Sequence, residues 1–415
     1  MRPSLRQVLF RSAGLDLNFA GGVFSLNNTR TDSPANIPGW SFSRTDTNGT
    51  ATALDLAGNV IQFATGVPRI TNRGILVEEA RTNLLLRSNE FDNASWTATN
   101  STVTANAGSA PDGTTTADKI IATVASAQHR VDQTAVNSAG TACFSVFLKA
   151  AEYSFATIRI GSSGGIVDLS DGSVSGVSVG YTMTATAFPN GWYRCALVGS
   201  AALNDIVRIN VQNATGFALS FAGDGTSGIL AWGAQLELGA FATSPIITTG
   251  AAGTRDGEVV SLGTAALPPE GTIILTYVVQ PTAVGTAART YGFNLTDAGN
   301  SRFSLRIGDI GLATTPVAII GDGTALTTLT ASSLTPGTTA KVAVSYSSLS
   351  AQFAMAVNGS DQTGARQAVA ATLALTFRLG SIGTPGTNAI NSPIARAQII
   401  PRFLTAAERI ALTAP

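Results

Sequence analysis

Few residues in this chain could do chemistry. Across 415 residues there is one histidine, His129, and there are two cysteines, Cys143 and Cys195. A catalytic histidine needs a nucleophile and an orienting acid. The stretch AQHRVDQ sets neither beside His129, which reads as a surface or edge-strand residue. So small a stock of His and Cys excludes His-rich zinc sites, Cys-cluster and haem motifs, and disulfide-dense secreted scaffolds. Cys143 and Cys195 fall in strand-like runs, CFSVF and WYRCALV. Buried free thiols fit such contexts. A disulfide stays open as the alternative, since it would need adjacent strands with Cβ atoms ~3.8 Å apart.

Carboxylates come next. Glycoside hydrolysis needs two carboxyl groups about 5–9 Å apart across a cleft. Acids of the last part of the chain, such as Asp256, Glu258, Asp361 and Glu408, fall mostly in turn or linker contexts, and no acid triad lines one strand face. The chain is therefore read as a non-enzyme. In the middle region Asp112, Asp118, Asp168, Asp171, Asp205, Asp224 and Glu237 are candidates for loop-held calcium, which takes about six to eight oxygen ligands. No EF-hand loop is present, so solvated turn carboxylates are the first reading. A structural Ca2+ ion held by Asp118 and Glu237 is the second.

Aromatic and polar side chains can hold a sugar by stacking and hydrogen bonding. Trp96, which follows NEFDNAS, reads as semi-exposed. Trp192 in NGWYRC and Trp232 in LAWGAQLE alternate with apolar neighbours and read as core, together with Cys143 and Cys195. Arg159 and Arg208 project from the polar faces of their strands, and Gln212 follows the second. Trp96, Arg159, Arg208 and Gln212 form the candidate carbohydrate-binding set.

The elements that must position these residues are strands. FATIRI (155–160) sets Ile158 and Ile160 against Thr157 and Arg159, and IVRINV (206–211) sets Val207, Ile209 and Val211 against Arg208 and Asn210. CFSVFLK (143–149) puts Phe144, Val146 and Leu148 on one face. Period-two alternation of this kind marks half-buried antiparallel strands. Beyond a change of register near 248–260, FSLRI, KVAVSY and FAMAVN continue the pattern, and Asn358-Gly359 is a hairpin turn signal. Thr405 and Glu408 in LTAAERIALT spell a capping box before a short helix. The expected fold is all-β: tandem antiparallel β-sandwiches after a β-rich N-terminal region. The divisions are an arm at 1–14, a leader at 15–83, one sandwich at 84–250 and a second at 251–415.

Composition narrows the function. Twenty-five basic residues balance twenty-five acidic ones, and charged residues make up 12% of the chain, about half the usual ~25%. Such a chain carries no electrostatic footprint for nucleic acid or anionic membrane. No run approaches the ~18 apolar residues of a membrane span, and MRPSLRQVLFRSAG lacks the apolar core of a secretory signal.

Several segments, in order, resemble tail-fibre and head-spike proteins of tailed phages and gene-transfer agents. They are GILVEEARTNLLLRSNEFDNASW (74–96), APDGTTTADKI (110–120), FSVFLKA (144–150), GWYRCAL (191–197) and WGAQLELGAFATSPI (232–246). The resemblance implies a carbohydrate-binding jelly roll in the middle. FRLGS (377–381) with the closing IARAQIIPRFLTAAERIALT is similar to the end of a concanavalin/laminin-G-like lectin sandwich. A virion surface fibre or spike is thereby implied, made in the bacterial cytoplasm and binding host-cell surface polysaccharide. It would contact capsid, portal or tail proteins and work as a homo-oligomer, where linked weak sites gain about 10²–10⁴ in avidity. A glycan depolymerase and a purely architectural spike are the rival readings.

Overall fold

The computed structural model describes residues 14–27, 29–47, 49–135, 137–214, 219–263, 269–279, 290–297, 300–308, 314–321, 326–347, 352–365, 376–381 and 389–415. The fold is all-β, built of antiparallel sheets packed as sandwiches. The arm at 1–14 lies outside the described residues but for Gly14.

The chain forms two compact units, and their boundaries differ from the expected division. A terminal unit takes residues up to Arg44, Gly66–Ala80 and Asp256–Pro415, and a middle unit takes Thr45–Thr65 and Arg81–Arg255. The stretch 15–83 is thus no region of its own. Its strands are shared out to complete both sandwiches.

In the terminal unit, Leu15–Asn18 pairs with Ser392–Ile400, Leu15 lying opposite Ile399. That strand joins a ten-stranded sheet, which faces a seven-stranded sheet across Leu17, Phe24, Leu275, Phe293, Leu305, Val342 and Phe353. Asn358 (φ 45°) and Gly359 (φ 83°) turn the hairpin between Gln352–Val357 and Ser360–Ala365. This is the left-handed backbone that a two-residue Asn-Gly hairpin loop uses. Helix Ala406–Thr413 starts at the capping box of Thr405 and Glu408. Its Leu412 packs with Ile274, Ala343, Ile400 and Leu404, and Arg409 holds Asp361 at 2.6 Å.

The middle unit is the sandwich that matters most here. Its back sheet runs Ser101–Gly108, Ala117–Ala122, Gly228–Leu238, Gly140–Ala150, Trp192–Ala201 and Thr182–Phe188. Its front sheet runs Thr97–Thr99, Ser126–Thr134, Ile206–Gln212, Phe155–Ile160, Ser163–Asp168 and Val174–Ser175, with Ser220–Ala222 also on Ser126–Thr134. Phe144, Val146, Leu148 and Leu197 meet Val131, Ile158, Val207 and Ile209 between the sheets. Each such fully buried large aliphatic or aromatic side chain contributes about 1.5–3 kcal/mol.

Trp192 and Trp232 are buried, but outside the core between the two sheets. They sit with Phe147 on the outside of the back sheet, under Val60, Leu54 and Ile247. These come from the small sheet of Gly49–Leu54, Val60–Phe63 and Ile246–Thr248. A bulge at Gly233 (φ 63°) inserts one residue opposite the Ser145–Phe147 stretch. The extra residue keeps Trp232 and Gln235 on that outer side while Ala231 and Ala234 face the core.

Cys143 and Cys195 are both buried and free. Cys195 lies opposite Val146 and points into the core, whereas Cys143 flanks Phe144 and points out the other side. Two thiols on opposite faces of one sheet cannot bond without turning a strand over.

Candidate functional site

One outer face of the middle sandwich, the one that carries Trp192 and Trp232, is covered by the small sheet. On the other, the outer face of the front sheet, the sequence places polar residues at alternate positions of three central strands. Register brings them into two rows. Thr97 lies opposite Asp132, Asp132 opposite Arg208, and Arg208 opposite Arg159. One step along, Thr99, Arg130, Asn210 and Thr157 form the second row.

Asp132 is the centre of the charge arrangement. Arg130 Nε donates to it at 2.8 Å, and Arg208 Nε stands 3.5 Å from its other oxygen. Side-chain exposure is 26% for Arg130, 23% for Arg208 and 14% for Asp132, so all three are mostly buried but still reach water. Arg159 donates to the Ser162 carbonyl and Arg208 to the Gly161 carbonyl, which fixes both stems at the strand end. Among the described residues Arg159 forms no ion pair. Its guanidinium is pushed below its ordinary range by burial, then by Arg208 and Arg130, against an opposing pull from Asp132.

Asn210 is fully buried between these arginines, and neither atom of its amide has a hydrogen-bond partner. Thr157 Oγ1, next to it in the row, is also buried without one. A buried polar group left unpaired costs about 1–3 kcal/mol.

At the edge of this face a cleft of about 400 Å³ is lined by Leu86, Ser95, Thr97, Asp132, Gln133, Thr134 and Ile206. It offers three hydroxyl groups and a carboxylate beside an aliphatic wall. Such a surface can take up a polyhydroxylated molecule, its hydroxyls to Asp132 and its C–H face to Leu86 and Ile206.

The expected binding residues divide. Arg159 and Arg208 are adjacent on the face. Gln212 shares it, four residues along from Arg208, but is almost fully buried. Trp96 is corrected: it is 4% exposed, packs at a tilt against Phe91 with ring centroids 4.9 Å apart, and donates its indole N–H to the Arg87 carbonyl. Ser95 and Thr97 on either side of it reach the cleft while its ring turns inward. His129 is corrected too, since it is fully buried with its ring nitrogens against the Asn100 and Phe221 carbonyls. Arg130, Asp132 and Asn210 were missed, although HRVDQ carries the alternation that puts Arg130 and Asp132 together.

The expected calcium ligands are engaged elsewhere and apart. Asp118 accepts the backbone amides of Phe91 and Asn106, and Glu237 accepts the amide and hydroxyl of Thr243. Asp118 pairs with Ala231, six residues before Glu237 on the same strand, a separation of roughly 20 Å. Among the described residues no three His, Cys, Asp or Glu side chains gather as a metal site. Burial nonetheless pushes Asp118 up from the ordinary carboxylate range, against its backbone donors.

In the terminal unit Glu78 and Glu258 are brought together by Arg69, at 2.8 and 2.6 Å, with Arg44 3.5 Å from Glu258. All four side chains are buried. This buried network ties together segments of the terminal unit.

The sequence matches no protein-family model and no curated protein. Among solved structures, it is similar to the CBM40 domain of the Ruminococcus gnavus IT-sialidase bound to α2,3-sialyllactose. That match has 22% identity over 36% of this chain and 84% of that one, with a TM-score of 0.29. It is also similar to Trypanosoma rangeli sialidase in complex with sialic acid, with 8% identity over 76% of this chain and 62% of that one, at a TM-score of 0.29. The extracellular region of zebrafish Gpr126/Adgrg6 follows at 12% identity over 69% and 35%, with a TM-score of 0.24. At these scores the similarities assign no site or activity. One expectation is corrected by them: a glycosidase recurs among the similar structures, so the exclusion of enzyme activity does not stand. No helix among the described residues is long and apolar enough to cross a membrane.

Proposed function

We propose that the chain is a glycan-binding protein and that the cleft at the edge of the front sheet is where the glycan sits. The observation that carries this reading is the placement of Asp132. It lines the cleft and is held by Arg130 and Arg208 from its own and the neighbouring strand. A carboxylate braced in this way is a fixed acceptor for sugar hydroxyls. Ser95, Thr97 and Thr134 add hydroxyl groups around it.

The finer setting is a virion surface fibre or spike that adsorbs to a host-cell polysaccharide, with other virion proteins as partners and several copies acting together. Support for that setting is the run of short motifs between residues 74 and 246. Glycan cleavage is the second reading, favoured by Asp132 itself, a carboxylate standing in a cleft, where general acid or base chemistry needs one.

A glycan array probed with the full chain tests the proposal, with release of reducing ends from each bound polysaccharide measured in parallel. The expected result is selective binding that Asp132→Asn weakens at least tenfold and the exposed turn variant Asp171→Asn leaves unchanged. Reducing-end release lost in Asp132→Asn would move the reading to cleavage. No binding by folded protein would overturn both.

A further inference from the structure

We infer that Arg130, Arg159 and Arg208 form a subsite for the carboxylate of an acidic sugar, next to the cleft; this rests on the glycan-binding reading and specifies its ligand. Asp132 pairs with Arg130 and Arg208, and Arg159 stands directly opposite Arg208, so three guanidinium groups gather around one carboxylate and two positive charges are in excess on this face. Such an excess is unusual on a protein so sparsely charged. Like charges directly opposite on neighbouring strands destabilise a sheet, and Arg159 and Arg208 are such a pair. The lowered proton affinity of Arg159 has that repulsion among its causes. An anion seated between the guanidinium groups removes it.

Geometry narrows the anion. Arg159 and Arg208 are each anchored by one hydrogen bond to a backbone carbonyl at the 161–162 turn. Guanidinium groups carry five N–H donors in a planar fork that matches a carboxylate in bidentate fashion. Asn210, buried and unpartnered at the centre of the set, supplies both an amide donor and an acceptor. It suits a ligand that carries hydroxyl groups beside its carboxylate better than a bare ion. A sugar acid has both in one ring, and its remaining hydroxyls fall towards Asp132 and the cleft.

The test uses the full chain against sialylated and uronic-acid oligosaccharides, each beside its carboxyl-reduced alcohol. Acidic members are expected to bind at least tenfold more tightly than their reduced forms. That advantage is expected to shrink with rising salt and to be lost in Arg159→Gln. Equal binding of acidic and reduced forms overturns the inference. So does a preference for sulfated or phosphorylated glycans that survives carboxyl reduction. Binding of acidic glycans that Asp132→Asn abolishes and Arg159→Gln spares would overturn this inference alone and keep the glycan-binding reading. An absence of all glycan binding would remove both.

Discussion

Arg159 and Arg208 occupy directly opposite positions on adjacent antiparallel strands, so two guanidinium groups stand side by side on one open face of the middle sandwich. That pairing works against the sheet and in favour of an anion. Removing one partner should therefore separate stability from function. Arg159→Gln is expected to leave the unfolding free energy within about 0.5 kcal/mol of the wild type, or slightly above it. Urea denaturation checks this. A loss of several kcal/mol would show that Arg159 braces the fold through its hydrogen bond to the Ser162 carbonyl.

The Arg69 network predicts the opposite behaviour. Glu258 is held by Arg69 and Arg44 with all the side chains buried. Glu258→Ala leaves buried guanidinium groups short of a partner, which costs about 3–5 kcal/mol. Calorimetry should show the loss in the transition that belongs to the terminal unit.

The thiols should be silent until the protein unfolds. Burial pushes Cys143 up to about 12, with Glu237 adding to the shift and Arg194 and Arg81 opposing it, and burial alone pushes Cys195 up. The thiolate is the reactive form, so native protein at about pH 8 is expected to resist alkylation. Mass spectrometry after denaturation should then find two free thiols and no disulfide.

Much of the front face was legible in the sequence. The alternation of FATIRI and IVRINV put Arg159 and Arg208 on the polar side, and the structure makes them neighbours. Trp96 was misread because its polar neighbours say nothing about Phe91, which covers it from five residues upstream. The leader was misread for a similar reason. Leu15–Asn18 is completed by Ser392–Ile400, and no local pattern announces a pairing across almost the whole chain. The capping box needed only four consecutive residues, and it was read correctly.

That capping box carries a pH signature. Glu408 is lowered to about 2 by its hydrogen bond to Arg402, against partial burial and with help from Thr405. A carboxylate lowered on folding stabilises the protein above its unfolded pKa, and that contribution fades as pH falls through the folded value. Glu408→Gln is expected to lower stability by about 0.5–1 kcal/mol near neutral pH. The gap between variant and wild type should narrow as pH drops from about 5 towards 2. Urea midpoints taken across that range check the sign.

The central claim is that a glycan occupies the cleft beside Asp132. The most direct measurement is calorimetric titration of the strongest array ligand into the wild type and into Thr97→Trp, which places a large ring in the cleft from an exposed edge position. The account predicts affinity at least tenfold lower in the variant, with its thermal unfolding unchanged. Equal affinity in the two proteins would contradict it.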